Sequence, residues 1–218
     1  MKIKINIDLK VGRVVKYFIL ADLALLAGWG LVQPVFSIYI LDKVEGTTLV
    51  TLGMAAAIYW ILKSILQLPV ANYLDKTDEE SDDFRALIIS LFIGALAAFS
   101  FILVRQIWHL YVVEVIHAIA FALYVPAWSA IFSRHVDKNR VSFDWSLDST
   151  VAGISAGVSG FLGGVIAKTL GFSGVFVLAG AFSLVSAFIL LMAPELILPK
   201  KTSGVKFLKD HTPTNINK

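Results

Sequence analysis

The sequence predicts an all-α protein: a polytopic membrane protein built as a bundle of six transmembrane helices. Of its 218 residues, 57% are hydrophobic and 16% are charged, whereas a soluble domain carries about 25% charged residues. The mean hydropathy of +0.78 excludes a disordered chain, since disorder requires low hydrophobicity and high charge. The charged residues fall into short blocks, and the apolar stretches between these blocks are long enough to cross a bilayer.

Six apolar stretches are predicted as membrane spans, because each can cross about 30 Å of hydrocarbon at 1.5 Å per helical residue. Their polar residues are mainly Gly and Ser, the small residues through which membrane helices pack. Together they form a predicted bundle over residues 17–194, between tails at 1–16 and 195–218. The six predicted spans are residues 17–41, 49–73, 85–104, 107–132, 148–170 and 172–192.

The basic residues predict the orientation of the bundle. Fifteen of the 19 Lys and Arg residues lie in the two tails and in the connections after spans two and four. The opposite side carries Lys43, Arg105 and Lys168, and Lys63 lies inside span two. Because cytoplasmic segments are enriched in Lys and Arg, we expect both termini in the cytoplasm and the bundle in the plasma (inner) membrane.

The sequence offers no pattern typical of soluble enzymes. It has no cysteine and lacks the GxxxxGK[ST], HExxH and GxSxG motifs. Its four histidines are too far apart for a metal-ligand spacing. The topology accounts for the basic residues, so they indicate no nucleic-acid partner. We therefore expect neither an enzyme nor a metal or other cofactor.

Four ionisable residues lie within the predicted spans, where charge is costly and therefore indicates function. Glu114 and His117 are three residues apart in span four and share one helix face, where they could form a proton relay. Lys63 lies in the middle of span two and either faces a polar cavity or pairs with Glu114. Asp22 lies one turn inside span one, at headgroup level or beside a cation. A purely structural ion pair is the alternative.

Amide and aromatic side chains inside the spans are candidates for a solute-binding cavity. Gln33 and Gln67 either bind a solute or cross-link helices. Trp29 and Tyr59 lie deeper than the interfacial aromatic residues and are predicted to form cavity walls.

Glycine and proline mark places where the helices can bend or pack closely. Span one contains Gly28, Gly30 and Pro34, and span four contains Pro126. In span five, four glycines at spacings of 4, 3 and 4 share one face that admits a neighbouring backbone. This face serves either static packing or a sliding motion. The glycines are Gly153, Gly157, Gly160 and Gly164.

Several short motifs follow one another along the spans. Span one contains GWGLVQPVFSIYI, a Gly-rich stretch leading to Pro, and span two ends in QLPVANYLDK. These motifs resemble the Major Facilitator Superfamily of secondary transporters, and QLPVANYLDK is similar to that family's loop 2–3 signature. There Asp75 and Lys76 match the acidic–basic pair, with Ala71 at a glycine position. The following TDEESDDF is acidic where the family is basic.

Spans four and five extend the resemblance. YVPAW matches the family's helix 4, and Glu114 stands where the family carries an arginine, so that charge is reversed. SGFLGG, from Ser159 to Gly164, is similar to a Gly-Pro-x-x-Gly-Gly motif of many antiporters, with Gly160 in place of Pro. The resemblance is to the amino-terminal six-helix half.

The resemblance implies a secondary active transporter that moves a small-molecule substrate across the lipid bilayer by alternating access, with proton-coupled efflux as one possible form. A homodimer, or a pair with a second six-helix half, would rebuild the full architecture. Spans one and four would line the cavity, spans two and five would meet the partner, and spans three and six would face lipid. The alternatives are a non-transporting scaffold or regulator and a fragment of a longer 12-helix transporter.

Overall fold

A computed structural model describes residues 11–76 and 80–192, and this part of the chain contains helices and turns without a strand. The all-α prediction is therefore confirmed. The helices are α1 (Arg13–Val32), α2 (Phe36–Lys43), α3 (Leu49–Leu74), α4 (Glu80–Phe101), α5 (Ile107–His135) and α6 (Val141–Leu191).

Five of these helices are long and apolar enough to cross a membrane. The longest, α6, has 51 residues and bends at Gly171, where the backbone has φ 77° and ψ 172°. A positive φ of this size favours glycine, because a Cβ would clash with the backbone there. The two segments of α6, residues 141–170 and 172–191, lie where spans five and six are predicted. These helices confirm the predicted class of membrane protein.

The first predicted span is two helices rather than one. α1 ends at Val32 and α2 begins at Phe36, with a turn at residues 33–35 between them. Pro34 lies in this turn, and a proline has no N–H to continue the helical hydrogen bonds. Pro126, by contrast, lies inside the continuous helix α5. Of these two prolines, both predicted as places where a helix can bend, only Pro34 interrupts a helix.

Helix α1 packs closely against both segments of α6 through small residues. A Cβ on Gly28 would lie 3.0 Å from the Ala179 carbonyl oxygen, and a Cβ on Gly163 would overlap the Leu31 carbonyl. The Ser155 hydroxyl donates to the Leu23 carbonyl over 3.1 Å. Glycine and serine thus let the two backbones approach, as is typical of membrane helices.

The predicted glycine face of span five is not the face that α1 uses. At Gly153, Gly157, Gly160 and Gly164, an added Cβ would meet no other atom within 4 Å. The inward face carries Ser155, Ser159 and Gly163 at spacings of four residues, and all three are buried. Within the described chain, the four glycines form an open surface. Gly30 shares the inward contact, since its Cβ would lie 3.0 Å from the Ser159 side chain.

Two hydrophobic cores occupy opposite ends of the bundle. One surrounds Phe18 and Phe132 and lies toward the α3–α4 and α5–α6 connections. The other surrounds Phe101 and Phe176 and lies toward the α4–α5 connection and the bend in α6. Here the buried Tyr39 hydroxyl donates to the Phe101 carbonyl over 2.5 Å. We call these ends the Asp83 end and the Gly171 end; the orientation predicted from the basic residues would place the Asp83 end in the cytoplasm.

The acidic stretch after α3 has basic partners on α5. Arg134 forms ion pairs with Asp83 and Glu80, and His135 Nε2 lies 3.2 Å from Glu80 Oε2. These contacts tie the start of α4 to the end of α5 at the Asp83 end. The departure from the family's basic pattern is therefore matched by basic residues on the neighbouring helix.

The pair Asp75 and Lys76 lies exposed directly after α3. The Asp75 N–H caps the helix by donating to the Ala71 carbonyl over 2.9 Å. The bracing of a neighbouring helix that the resemblance implies for Asp75 stays a prediction.

Helix α3 lies at the edge of the bundle and packs mainly on α5. Only 11% of the residues in its most apolar 18-residue stretch are buried, against 56% in α1. Its exposed side chains include Ile61, Ile65 and Leu68. Of the five membrane-length helices described, α3 thus has the smallest buried share in its apolar stretch.

Candidate functional site

Three of the predicted side chains form a stack at the junction of α1, α3 and α5. The His117 ring lies 4.0 Å from the Trp29 ring, with 6° between their planes. On its other face, the Tyr59 ring lies 4.3 Å away at 27°. The imidazole is thus sandwiched between two aromatic rings contributed by two other helices.

Glu114 provides a polar partner for this imidazole. Its Oε2 lies 3.3 Å from His117 Nδ1, and both groups project from α5. The two side chains are deeply buried, with 5% of Glu114 and 13% of His117 exposed. The geometry places them on one helix face, as the three-residue spacing requires.

Lys63 completes the polar part of this group but does not pair with Glu114. Its Nζ lies 4.9 Å from the Trp60 ring centre and 6.0 Å from the Tyr59 ring centre. A cation over an aromatic face is stabilised by the ring's quadrupole. The carboxylate partner expected for Lys63 is instead taken by His117, which shares a helix with Glu114.

Phe121 closes the group from the side of α5. Its ring meets His117 edge-on at 5.1 Å and Trp29 edge-on at 5.7 Å. Phe121 is not among the predicted site residues, although it lies four residues after His117 and therefore on the same face. We call Trp29, Tyr59, Lys63, Glu114, His117 and Phe121 the His117 cluster.

Asp22 lies in a second buried group, nearer the Asp83 end. The Tyr124 hydroxyl donates to Asp22 Oδ1 over 2.6 Å, and only 8% of Asp22 is exposed. No cation pairs with Asp22 among the described residues, and its position at headgroup level stays a prediction. Tyrosine supplies the hydrogen bond that burial of a carboxylate demands.

Asp148 belongs to the same group. It is buried near Asp22, and the two carboxyl groups interact electrostatically. Its Oδ1 has no hydrogen-bond partner within the described part of the chain. Asp148 is the first residue of the predicted fifth span, but α6 begins at Val141. Asp148 therefore lies two turns inside the helix. We call Asp22, Tyr124 and Asp148 the Asp22 cluster.

The two predicted amides lie outside both clusters. Gln33 is exposed in the turn between α1 and α2, and Gln67 is partly buried on α3, one turn beyond Lys63. Neither makes a hydrogen bond to a cluster residue within residues 11–76 and 80–192. Their roles in solute binding stay predictions.

No metal site is formed in the part of the chain that the structure describes. A search of the described residues found no group of three or more His, Cys, Asp or Glu side chains that could hold an ion. The chemistry that the clusters offer is proton exchange at His117 and the carboxylates, together with stacking on aromatic rings.

Apolar helices of membrane length with titratable groups buried between them define a polytopic membrane protein with a candidate polar pathway. The chain matches the family model described as Major Facilitator Superfamily over residues 18–214. This match covers most of the sequence, so the chain belongs to the Major Facilitator Superfamily, a family of membrane transporters. A search of curated proteins found no match.

Proposed function

We propose that this protein is a secondary active transporter that moves a small solute by alternating access and uses the His117 cluster to couple transport to protons. The observation that carries this proposal is the buried hydrogen bond between Glu114 and His117 within a ring stack that joins three helices. Membership of a transporter family supports the general class.

Proton exchange at the Glu114–His117 pair changes the charge of the cluster. With His117 neutral, Glu114 is a buried carboxylate with a neutral partner; with His117 protonated, the two form an ion pair. Because the rings of α1 and α3 pack directly on His117, such a change alters how tightly these helices hold α5. This is the physical link between a proton and a helix rearrangement.

The aromatic surfaces of the cluster suit an amphipathic solute. Trp29, Tyr59 and Phe121 offer faces and edges on which a planar apolar group can stack, and Glu114 and Lys63 offer charges of both signs. Ligand sites in proteins are typically apolar with a few placed polar groups. The cluster therefore suits amphipathic solutes of either charge.

We further propose that the bundle works with a second copy of itself. Helix α3 and the glycine face of α6 (Gly153, Gly157, Gly160, Gly164) have little or no cover within the described chain. Both elements belong to the spans that we expect, from the family resemblance, to meet the other half. A two-fold assembly would cover them and enclose a cavity between the two copies.

The experiment is transport by the full chain in proteoliposomes that contain a pH-sensitive dye. A panel of amphipathic solutes with positive, negative and no charge is applied, and proton movement is followed. We expect at least one solute to drive proton flux in the wild type and Glu114→Gln to abolish that flux. Glu45→Gln, which changes an exposed carboxylate, serves as the matched control.

Two results would contradict the proposal at different levels. Solute movement with unchanged proton flux in Glu114→Gln would refute the coupling role of the pair while leaving transport intact. Absence of movement for every solute in the panel, with a folded protein in the bilayer, would count against transport by this chain.

A further inference from the structure

A cavity of about 390 Å³ opens at the Gly171 end of the bundle, away from both clusters. It lies between the end of α2, the α4–α5 connection and the bend in α6. Lys43 and Arg105 contribute basic groups to its lining, Ser173 contributes a hydroxyl, and Ile102 and Phe172 contribute apolar walls. No Asp or Glu lines it.

The basic groups of this cavity are unusual for their end of the molecule. Only three Lys or Arg residues fall on that side of the predicted topology, and two of them, Lys43 and Arg105, meet at the same cavity. Enrichment of basic residues on the cytoplasmic side explains the other end but not this one. The presence of both basic groups at one cavity therefore favours an anionic partner.

Lys43 and Arg105 have few acidic neighbours in the part of the chain that the structure describes. Among the described residues, no carboxylate lies within 4 Å of the Arg105 guanidinium. Lys43 Nζ lies 2.8 Å from Asp42 Oδ2, but both side chains are at least half exposed. Such solvated ion pairs are weak, so a ligand anion can share or replace this contact.

The charge of the cavity comes from its side chains. At Gly171 one helical segment ends and the next begins with Phe172 and Ser173, so the negative end of one helix dipole and the positive end of another meet there. The cavity thus combines two cationic side chains and a hydroxyl donor, a combination suited to phosphate.

We propose that this cavity, the Gly171 pocket, binds a phosphate group, carried by a phospholipid or by a soluble organic phosphate. Its volume exceeds that of an inorganic phosphate, and its apolar wall of Ile102 and Phe172 accommodates the adjoining glycerol or organic part. The pocket lies at the ends of the predicted spans, which is the level of lipid headgroups. This proposal does not depend on transport or on the His117 cluster.

The test compares two phosphate probes on the purified full chain. Retention of dioleoylphosphatidylglycerol, against dioleoylglycerol without phosphate, is measured by native mass spectrometry. Binding of glycerol 3-phosphate is measured by its concentration-dependent effect on thermal unfolding. Lys43→Gln combined with Arg105→Gln is the test variant, and Lys168→Gln, the remaining basic residue at this end, is the matched control. Ser173→Phe fills the pocket without changing charge.

We expect the double variant to weaken binding of at least one phosphate probe by about tenfold or more, since each lost charged contact is worth about that factor. We expect Ser173→Phe to weaken the same binding because its ring occupies the space of the ligand. Lys168→Gln should bind like the wild type. Loss confined to the phospholipid identifies a lipid headgroup, and loss confined to glycerol 3-phosphate identifies a soluble ligand. The proposal is overturned if neither probe binds the wild type, or if the double variant and Lys168→Gln bind both probes alike.

Discussion

His117 is held by rings on both faces and by one carboxylate. A change in its protonation therefore changes the charge in direct contact with the two stacked rings. Trp29 lies 4.0 Å from it with the planes nearly parallel. A protonated imidazole in such contact quenches tryptophan emission, while a neutral one does so less. We therefore expect the emission of Trp29 to depend on the protonation state of His117.

We predict that tryptophan emission of the purified protein falls as pH is lowered, and that His117→Gln removes this step. The charged or titratable groups facing His117 are Glu114 from α5 and Lys63 and Tyr59 from α3, while Trp29 from α1 and Phe101 from α4 add uncharged rings. His109 also contacts a tryptophan, Trp108 at 4.0 Å. The comparison is therefore made in a His109→Gln background, with His117 either present or replaced by Gln. A pH step of the same size after His117→Gln would refute the assignment.

The sequence predicts much of this cluster because helical spacing is local. Glu114 and His117 must share a face of α5 whatever surrounds them. The partner of Lys63 is different in kind, since it depends on the rotation of α3 against α5. That rotation is set by packing between helices, so the expected ion pair with Glu114 could not be tested from spacing alone.

Asp22 and Asp148 illustrate the same limit between distant elements. They are 126 positions apart in the numbering, and nothing in either local sequence indicates that α1 and α6 bring them together. The burial of Asp148 depends on where α6 begins, and an apolar window misses the first two turns, in which Ser142, Asp144 and Ser146 alternate with apolar residues. The predicted start at residue 148 therefore made this carboxyl group look terminal.

At the level of the helix pair, α1 and α6 are held together by backbone proximity at Gly163. Gly164 offers a matched comparison, because an added Cβ there meets no other atom within 4 Å. We predict that Gly163→Val destabilises the bundle by about 1–3 kcal/mol, the usual effect of overpacking. Gly164→Val should leave the stability of the single chain nearly unchanged.

The measurement is the thermal midpoint in detergent at a fixed scan rate, since unfolding of such proteins is often irreversible. Equal midpoints for the two valine variants would mean that α1 and α6 do not approach at Gly163. The pair of adjacent glycines keeps helix propensity and residue type constant, so only the packing environment differs.

A second element-level prediction concerns the contact between α4 and α5 at the Asp83 end. Asp83 is 1% exposed and relies on Arg134 for its charge partner, while its Oδ1 has no hydrogen-bond partner in the described chain. Arg134→Ala leaves this carboxylate buried without its cation, which should destabilise the protein by about 2 kcal/mol.

Arg85→Ala on α4 is the control, because Arg85 is exposed. The readout is again the thermal midpoint, which we expect to fall for Arg134→Ala and to change little for Arg85→Ala. If Asp83→Asn restored nothing in the Arg134→Ala background, the cost would come from lost packing of the arginine stem rather than from the stranded charge.

Proline residues alone do not set the helix boundaries. The first span, predicted as one helix over residues 17–41, is interrupted at Pro34, whose missing N–H removes a helical hydrogen bond. Pro126 also lacks an N–H but lies inside the continuous helix α5, so the surroundings of each proline decide whether the helix ends. The glycine pattern of α6 indicated a close contact, but α1 uses the face with Ser155, Ser159 and Gly163, which differs from the glycine face only in rotation about the helix axis.

For the whole molecule, two surfaces without cover in the described chain indicate how it assembles. Helix α3 has few buried residues, and the four open glycines lie on the first segment of α6. Apolar exposure is ordinary for a helix in lipid, but a glycine face offers lipid tails little to pack against and offers another helix close approach. We therefore propose that a second copy of the chain covers both elements.

We predict that single cysteines on α3 crosslink between copies in the membrane, while those on the lipid-facing side do not. The chain contains no cysteine, so each introduced thiol is the only one. Ile65→Cys on α3 and Ile89→Cys on α4 are both exposed to a similar degree, 61% and 52%, and α4 lies in the span predicted to face lipid. Oxidation of native membranes followed by gel electrophoresis should yield a dimer for Ile65→Cys and mainly monomer for Ile89→Cys. Dimer at both positions would indicate random collision, and dimer at neither would rule out a homodimer joined through α3.

Gly157→Leu, which fills the glycine face, should lower the yield from Ile65→Cys if both surfaces belong to one interface.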